Sequence, residues 1–274
     1  MARRRSRRQA PGVSAARVAI VTGAARGIGA AVVHRLAGQG WQVGAVDACA
    51  EDPAVGYPLG SRADIQSVCE PYGEAVLPLL ADVRDPAAVA RAVESTVDRF
   101  GGLDAAVAGA GVVAGGTDAW ETDDETWRLL LDVDLMGVVH LVRSAVPALL
   151  ARPQPRAGRF VAIASVAAHH GLWRLSAYNA AKHAVAGFVL GLAADLRGSG
   201  VTATAVSPGS TRTPMLRATA DLYGMDDPEG FAAHQLVGRL LAPAEIAATI
   251  GWLCGAESGA LTGTVVRADG GFTG

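Results

Sequence analysis

The sequence predicts one α/β domain, and three observations lead there. Its 274 residues are an ordinary length for a single α/β unit. Half of them are apolar, with 34 glycines and few aromatics, so a large core must pack on Ala, Val and Leu. Short apolar runs of strand character alternate with helical patterns, beginning with a strand, a glycine-rich turn and a helix. No internal repeat or second domain is visible. The net charge of −2 leaves no general basic surface, which argues against nucleic-acid binding by the body. No apolar run approaches a membrane span. Cys49, Cys69 and Cys254 are scattered and odd in number, which fits buried thiols in a reducing, cytoplasmic setting and offers neither a disulfide framework nor a metal motif. No pair of histidines has the spacing of a zinc site.

Residues 1–16 stand apart. Arg3, Arg4, Arg5, Arg7 and Arg8 form a basic run without the apolar segment of a secretory signal. A solvated, disordered tail is expected, because like-charge runs stay solvated; an arm that touches a polyanion is the alternative. Order is expected from residue 17, where an apolar strand over 17–21 runs into Thr22-Gly23-Ala24-Ala25-Arg26-Gly27-Ile28-Gly29 and then a helix over 30–38. Backbone N–H groups at such a turn and helix start suit a pyrophosphate. Gly23 permits the sharp turn, and Gly27 and Gly29 permit close approach of cofactor and strand. The next strand, 42–46, ends at Asp47, 18 positions after Gly29. A carboxylate there hydrogen-bonds an adenosine ribose and repels a 2′-phosphate, so NAD is expected over NADP. Arg26 is the counter-signal, since a basic residue in the glycine turn could meet that phosphate.

The chemistry is expected between Ser165 and Lys182. Tyr178 and Lys182 are four apart, which on a helix puts both on one face. A phenol has a pKa of roughly 10, and a neighbouring ammonium favours its phenolate. Lys182 is the only lysine in the chain; every other residue of the Lys+Arg set is arginine. A lysine kept at this one position points to a compact ammonium whose pKa can shift, which Arg cannot supply. Ser165 follows an apolar run over 159–164 that reads as a buried strand, and its hydroxyl can bond the same substrate oxygen as the tyrosine.

The glycine turn, Ser165, Tyr178, Lys182 and the later Pro208-Gly209 stand in an order and spacing that resemble a classical short-chain dehydrogenase/reductase, from Arg17 to the C-terminal residues. That resemblance implies a Rossmann-type, doubly wound parallel sheet, a nicotinamide cofactor and interconversion of a small-molecule alcohol and its carbonyl. It also implies a homotetramer, with Val185, Phe188, Val189 and Leu192 of the catalytic helix buried between subunits; burial in the chain's own core alone is the alternative. Residues 48–77 hold an insert, because Asp47 and the landmark Asp82-Val83 lie 35 positions apart (82 − 47), about ten more than most relatives need. The insert is loop-like in content and should lie over the adenosine end of the cofactor. It resembles that of mycofactocin-coupled members, which implies an NAD held through turnover and re-oxidised by an external redox carrier; a plain surface loop is the alternative.

The same resemblance distributes further roles. Asp82 and Val83 flank the adenine. A helix over 86–100 follows, with Pro86 suited to its first turn. Ala108-Gly109-Ala110-Gly111 replaces the relatives' Asn-Asn-Ala-Gly, so Ala108, Gly109 and Ala110 let the backbone lie against the cofactor without asparagine hydrogen bonds. In a helix over 123–149, Asp134 stands where relatives carry the asparagine that holds a relay water. Its charge should raise the Lys182 pKa and leave a working but altered relay. His170 and Trp173 fall in the substrate-lining stretch. The catalytic helix should end near 197, before the stop signal Gly198-Ser199-Gly200. After a strand over 201–206, Pro208, Gly209, Thr211 and Thr213 pass the nicotinamide, with Thr213 bonding its carboxamide. Residues 213–238 read as a substrate lid in which Met215 and Leu222, with Tyr223 and Met225, favour a hydrophobic secondary alcohol. A last helix opens at Pro243 and a last strand spans 261–268. In the expected mechanism Tyr178 takes the hydroxyl proton, Lys182 lowers its pKa and holds the ribose, and Ser165 steadies the reacting oxygen. Two alternatives stay open: an NADP-dependent carbonyl reductase with exchanging cofactor, and a cofactor-binding regulatory protein with weakened catalysis.

Overall fold

In the computed structural model, residues 16–273 are described, and the basic segment 1–15 lies outside them. The strands are β1 (Val18–Thr22), β2 (Gln42–Asp47), β3 (Val76–Leu80), β4 (Ala105–Ala108), β5 (Gly158–Ile163), β6 (Val201–Pro208) and β7 (Thr264–Ala268). They form one seven-stranded sheet in the order β3-β2-β1-β4-β5-β6-β7, every neighbouring pair parallel. Buried on both faces, β1, β4 and most of β5 are continuous apolar runs rather than alternating ones. The chain winds outward from β1 to β3 and then crosses back to β4 beside β1. That reversal opens a crevice at the carboxyl ends of β1 and β4, where α/β sheets of this kind hold ligands.

Helices cover both faces. On one, α1 (Gly27–Gly38) and α8 (Pro243–Cys254) pack Val32, Val33 and Leu36 with Ile246, Ile250 and Leu253. The other carries α3 (Pro86–Phe100), α5 (Gly137–Leu150) and α6 (Ser176–Asp195) over Phe160 and Ile20. The start of α3 is fixed by Asp85, whose carboxylate accepts from Ala87 N at 2.8 Å and Ala88 N at 3.1 Å, with Pro86 in the first turn.

Three sequence expectations change. Residues 48–77 are not all loop: Ser61 and Asp64 form a reciprocal capping box that starts a helix, α2 (Arg62–Cys69), so the irregular insert shrinks to residues 48–61. The helix expected over 123–149 is interrupted. It comprises α4 (Asp124–Leu130), a π-helical segment Leu131–Met136, and α5. Finally, Val185 and Val189 on α6 are fully buried and Leu192 nearly so, all in the chain's own core, with Phe188 packed against it. The stripe expected between subunits is therefore used within the chain. The remaining element, α7 (Pro214–Leu222), is capped by the Thr213 hydroxyl, which accepts from Leu216 N at 3.2 Å.

Among the described residues no helix is long and apolar enough to cross a membrane. All three cysteines are free thiols; Cys69 and Cys254 are buried and Cys49 half-buried.

Candidate active site

A continuous cleft of about 740 Å³ runs from the glycine turn to the α6 helix. Its floor begins at Gly23, with a φ of +68°. A Cβ there would sit 2.7 Å from the Gly109 carbonyl oxygen, so only glycine lets the turn lie against the loop after β4. A Cβ on Gly29 would fall 1.9 Å from the Gly23 carbonyl oxygen, which is how α1 is drawn up against the turn. The Thr22 hydroxyl ties the two loops together, accepting from Gly109 N at 3.1 Å and Ala110 N at 3.2 Å. Arg26, at the N-cap of α1, makes no side-chain capping bond. The first N–H groups of a twelve-residue helix are thus left for an anionic ligand. Arg26, Gly27, Ile28 and Gly29 all line the cleft.

Asp47 closes the adenosine end. Its carboxylate is held by Ala25 N and Cys49 N, each at 3.0 Å, one on each oxygen. This fixes a negative charge beside the glycine turn. Asp82 and Val83 line the same end. The strap of residues 48–61 crosses above them. Its Asp52 meets Arg84 at 2.7 Å, and Arg84 also grips Asp82 at 2.6 Å. Val55 is buried in the core, and Tyr57 reaches inward to accept a hydrogen bond from Val113 N at 3.1 Å. Burial pushes the Tyr57 phenol up to about 12.

The reactive side chains meet deeper in the cleft. Ser165 follows β5 and starts a short 3₁₀ turn, its hydroxyl accepting from Ala167 N at 3.1 Å. Tyr178 and Lys182 lie one turn apart on α6, the ammonium 5.5 Å from the tyrosine ring centroid. Lys182 also donates to the Ile163 carbonyl at 3.4 Å. Behind it sits Asp134, fully buried in the π-helical segment. One carboxylate oxygen accepts from Val112 N at 2.8 Å and the other lies 3.1 Å from the Lys182 ammonium. That second contact is a charge contact without hydrogen-bond alignment, and the oxygen has no aligned donor. The only asparagine, Asn179, has a different task. Its side chain accepts from Leu172 N at 3.2 Å and donates to Leu172 O at 2.9 Å, holding the substrate-side loop to α6.

The electrostatics differ from the simple picture of a lysine acidifying a tyrosine. Burial raises the Tyr178 pKa; the Lys182 charge and Ser165 pull it down, Asp134 pushes it up, and the net direction is upward. Burial lowers the Lys182 pKa, but Asp134 and Tyr178 outweigh it and the net is raised, as the sequence led us to expect. Burial raises the Asp134 pKa as well, against the pull of Lys182 and of Val112 N; in its ionised form Asp134 holds Lys182 charged while cancelling part of its pull on the phenol.

Gly109, Ala110, Pro208, Gly209, Thr211 and Thr213 line the cleft between these groups and the glycine turn. Ala108 does not: it is buried at the end of β4, one residue below the lining. At the far end, Trp173 and Met215 line the wall with Thr219, Tyr223, Met225 and Phe272. Two expected substrate residues are elsewhere. His170 packs against Phe272 with the rings tilted and their centroids 5.2 Å apart, and Gly171 to Trp173 take the lining positions. Leu222 falls off the α7 face formed by Met215, Leu216, Thr219 and Tyr223, and packs against the space left by Gly116. Tyr57, Arg84, Asn179 and Phe272 were not legible as site residues. The Ser61-x-x-Asp64 cap was the one available signal, since it shows where the insert stops. Among the described residues no cluster of His, Cys, Asp or Glu could hold a metal ion.

Residues 23–273 match the family model described as enoyl-(acyl carrier protein) reductase. An uncharacterised oxidoreductase of Mycobacterium tuberculosis is 34% identical, over 93% of this chain and 96% of that protein. The (−)-trans-carveol dehydrogenase of Rhodococcus erythropolis is 35% identical over 73% of each. The crystal structure of a carveol dehydrogenase from Mycobacterium avium in complex with NAD superimposes with a TM-score of 0.88 at 29% identity, covering 95% of this chain and 99% of that one.

Proposed function

The chain belongs to the classical short-chain dehydrogenase/reductase family, and from that premise we propose that it is an NAD-dependent dehydrogenase of hydrophobic secondary alcohols. The observation that carries the reading is the convergence of Ser165, Tyr178 and Lys182 on one end of a cleft whose other end is Asp47 and the glycine turn. The cradle fits a dinucleotide: small residues where a Cβ would collide, uncapped helix N–H groups, and a carboxylate braced where a ribose would need an acceptor. The cofactor is NAD, as in the carveol dehydrogenase complex. When bound it supplies the hydride acceptor. Gly23, Arg26, Gly27, Ile28 and Gly29 would hold its pyrophosphate, Asp47 its adenosine ribose, Asp82 and Val83 its adenine, and Lys182 its second ribose. Gly109, Ala110, Pro208, Gly209, Thr211 and Thr213 would frame its nicotinamide end.

The protein's own part is proton handling and positioning. Tyr178, as phenolate, takes the proton of the substrate hydroxyl. Lys182 steadies that phenolate, and Ser165 donates to the developing carbonyl oxygen, a preorganised donor where charge changes. The wall of Trp173, Met215 and Tyr223 suits an apolar alcohol. The strap supports the finer reading that NAD stays bound through turnover, re-oxidised by an external carrier of the mycofactocin type. A cytoplasmic homotetramer belongs to the same reading. Arg26 lies over the Tyr57 ring, centroid 5.8 Å away, and keeps an NADP-using carbonyl reductase as the competing reading.

Denaturing the purified protein and identifying the released small molecule by absorbance and mass tests the proposal. About one NAD or NADH per chain, with turnover of secondary alcohols only when an artificial electron acceptor is present, is expected. Empty protein that turns over added NAD would remove the retained-cofactor reading. Preference for NADP would remove the assignment of Asp47.

A further inference from the structure

The strap reaches beyond the adenosine end of the cleft. The Tyr57 hydroxyl accepts from Val113 N at 3.1 Å. The preceding amide, Val112 N, donates to Asp134 at 2.8 Å, and the other oxygen of Asp134 lies 3.1 Å from the Lys182 ammonium. Two consecutive amides of the loop after β4 are therefore held by different partners, one by the strap and one by the carboxylate that touches the reactive lysine. The strap is braced elsewhere by Val55 in the core and by the Asp52–Arg84 pair at 2.7 Å. A buried amide that loses its only acceptor is costly, so the loop has one well-held position when Tyr57 is in place.

We propose that Tyr57 is a positioning residue. It fixes the Val112–Val113 amides, and through them the Asp134–Lys182 contact, so that seating of the strap over the cleft sets the proton-handling group. This rests on the dehydrogenase reading above. The groups that face the linkage are Tyr178 and Lys182 on α6, Asp134 in the π-helical segment, Ser165 and the Ile163 carbonyl after and on β5, and Arg26 beside the glycine turn.

Tyr57→Phe keeps the ring and removes only the acceptor. In the holoenzyme, kcat should fall about tenfold, in line with an unpaired buried amide, while KM for the alcohol stays within about twofold. The midpoint of the rising limb of the pH–rate profile should move by about half a unit or more, because Asp134 shifts relative to Lys182 and Tyr178. In an Asp134→Asn background the same change should leave the midpoint where Asp134→Asn put it. A midpoint that Tyr57→Phe leaves unmoved while Asp134 is intact, or that it moves equally with and without Asp134, overturns the proposal. Amide hydrogen exchange at Val113 supplies a readout besides activity: slow in the wild-type holoenzyme and faster in Tyr57→Phe. Should Tyr57→Phe not fold, Asp52→Asn, which loosens the strap's outer anchor, should speed Val113 exchange in the same direction but by no more than about fivefold. Fast wild-type exchange, or exchange unchanged by these variants, overturns the proposal. If the wild-type protein oxidises no alcohol, the dehydrogenase reading fails on its own and the exchange measurements still decide the contact.

Discussion

Tyr178 has to lose a proton in a place where burial opposes the charge it would gain. The Lys182 ammonium helps, and Asp134, 3.1 Å from that ammonium, takes back part of the help. The pH dependence follows from these signs. Alcohol oxidation needs the phenolate, so its rate rises as pH passes through the raised Tyr178 pKa. Replacing Asp134 by Asn removes a negative charge that disfavours the phenolate, so the rising limb should move to lower pH. A shift to higher pH, or none, in kcat/KM profiles would refute this account. Lys182→Arg keeps a charge but replaces a compact ammonium by a planar fork in a space 5% exposed, and kcat should fall by about 10²-fold or more. At the other end, Asp47→Ser should raise the NADP-to-NAD ratio of kcat/KM by at least about tenfold, since the repulsive carboxylate is gone. These residues were legible because their spacing is itself the chemistry: Tyr178 and Lys182 four apart on a helix, Asp47 at the end of the second strand. Tyr57 and Asn179 were not, because each acts through a backbone group more than five residues away that only the fold brings near.

At the scale of elements, the π-helical segment and the strap do the positioning. A π turn carries one residue more than an α turn, and such segments gather at functional sites. Here it carries the buried Asp134. Residues 123–149 read as one helix because nothing in the sequence marks where a turn takes up an extra residue. His170 and Leu222 went astray for a related reason: the sequence shows which segment approaches the cleft but not how that segment is rotated. The strap also invites a ranking of its anchors. Its Asp52–Arg84 pair joins a side chain 40% exposed to one 15% exposed, and such pairs are worth about 0–1 kcal/mol. Asp52→Asn should therefore speed cofactor release by no more than about fivefold. Replacing residues 53–58 by a short Gly-Ser link, which removes buried Val55 and half-buried Tyr57 together, should speed it by about 10²-fold, near the 3 kcal/mol that such burial supplies. Release followed by fluorescence after dilution distinguishes the two.

For the molecule as a whole, parallel winding outward and back places the crevice, and the sequence pattern of strand and helix was enough to expect it. Subunit contacts were less legible. The α6 stripe of Val185, Val189 and Leu192 looks the same whether it meets a partner or the chain's own sheet, and here it meets the sheet. A cofactor lying across the crevice would bridge both halves of the sheet, so folding and binding are linked. At free NAD about a hundred times Kd, stabilisation is about 2.7 kcal/mol. For a chain of this size that is a rise in Tm of roughly 5–10 °C over stripped protein. Equal melting of stripped and reloaded protein would contradict the linkage.

One feature of composition gains a practical meaning from the fold. The sole lysine lies at the bottom of the cleft, so the folded surface presents no side-chain amine. Reagents that acylate amines should leave the native protein unmarked apart from its α-amino group. Each chain that opens exposes one further amine, and a cofactor seated above Lys182 would shield it. Mass-resolved acylation thus counts open chains one by one, and trypsin, which cuts after Lys182 in unlabelled chains, passes over that one bond once Lys182 is acylated.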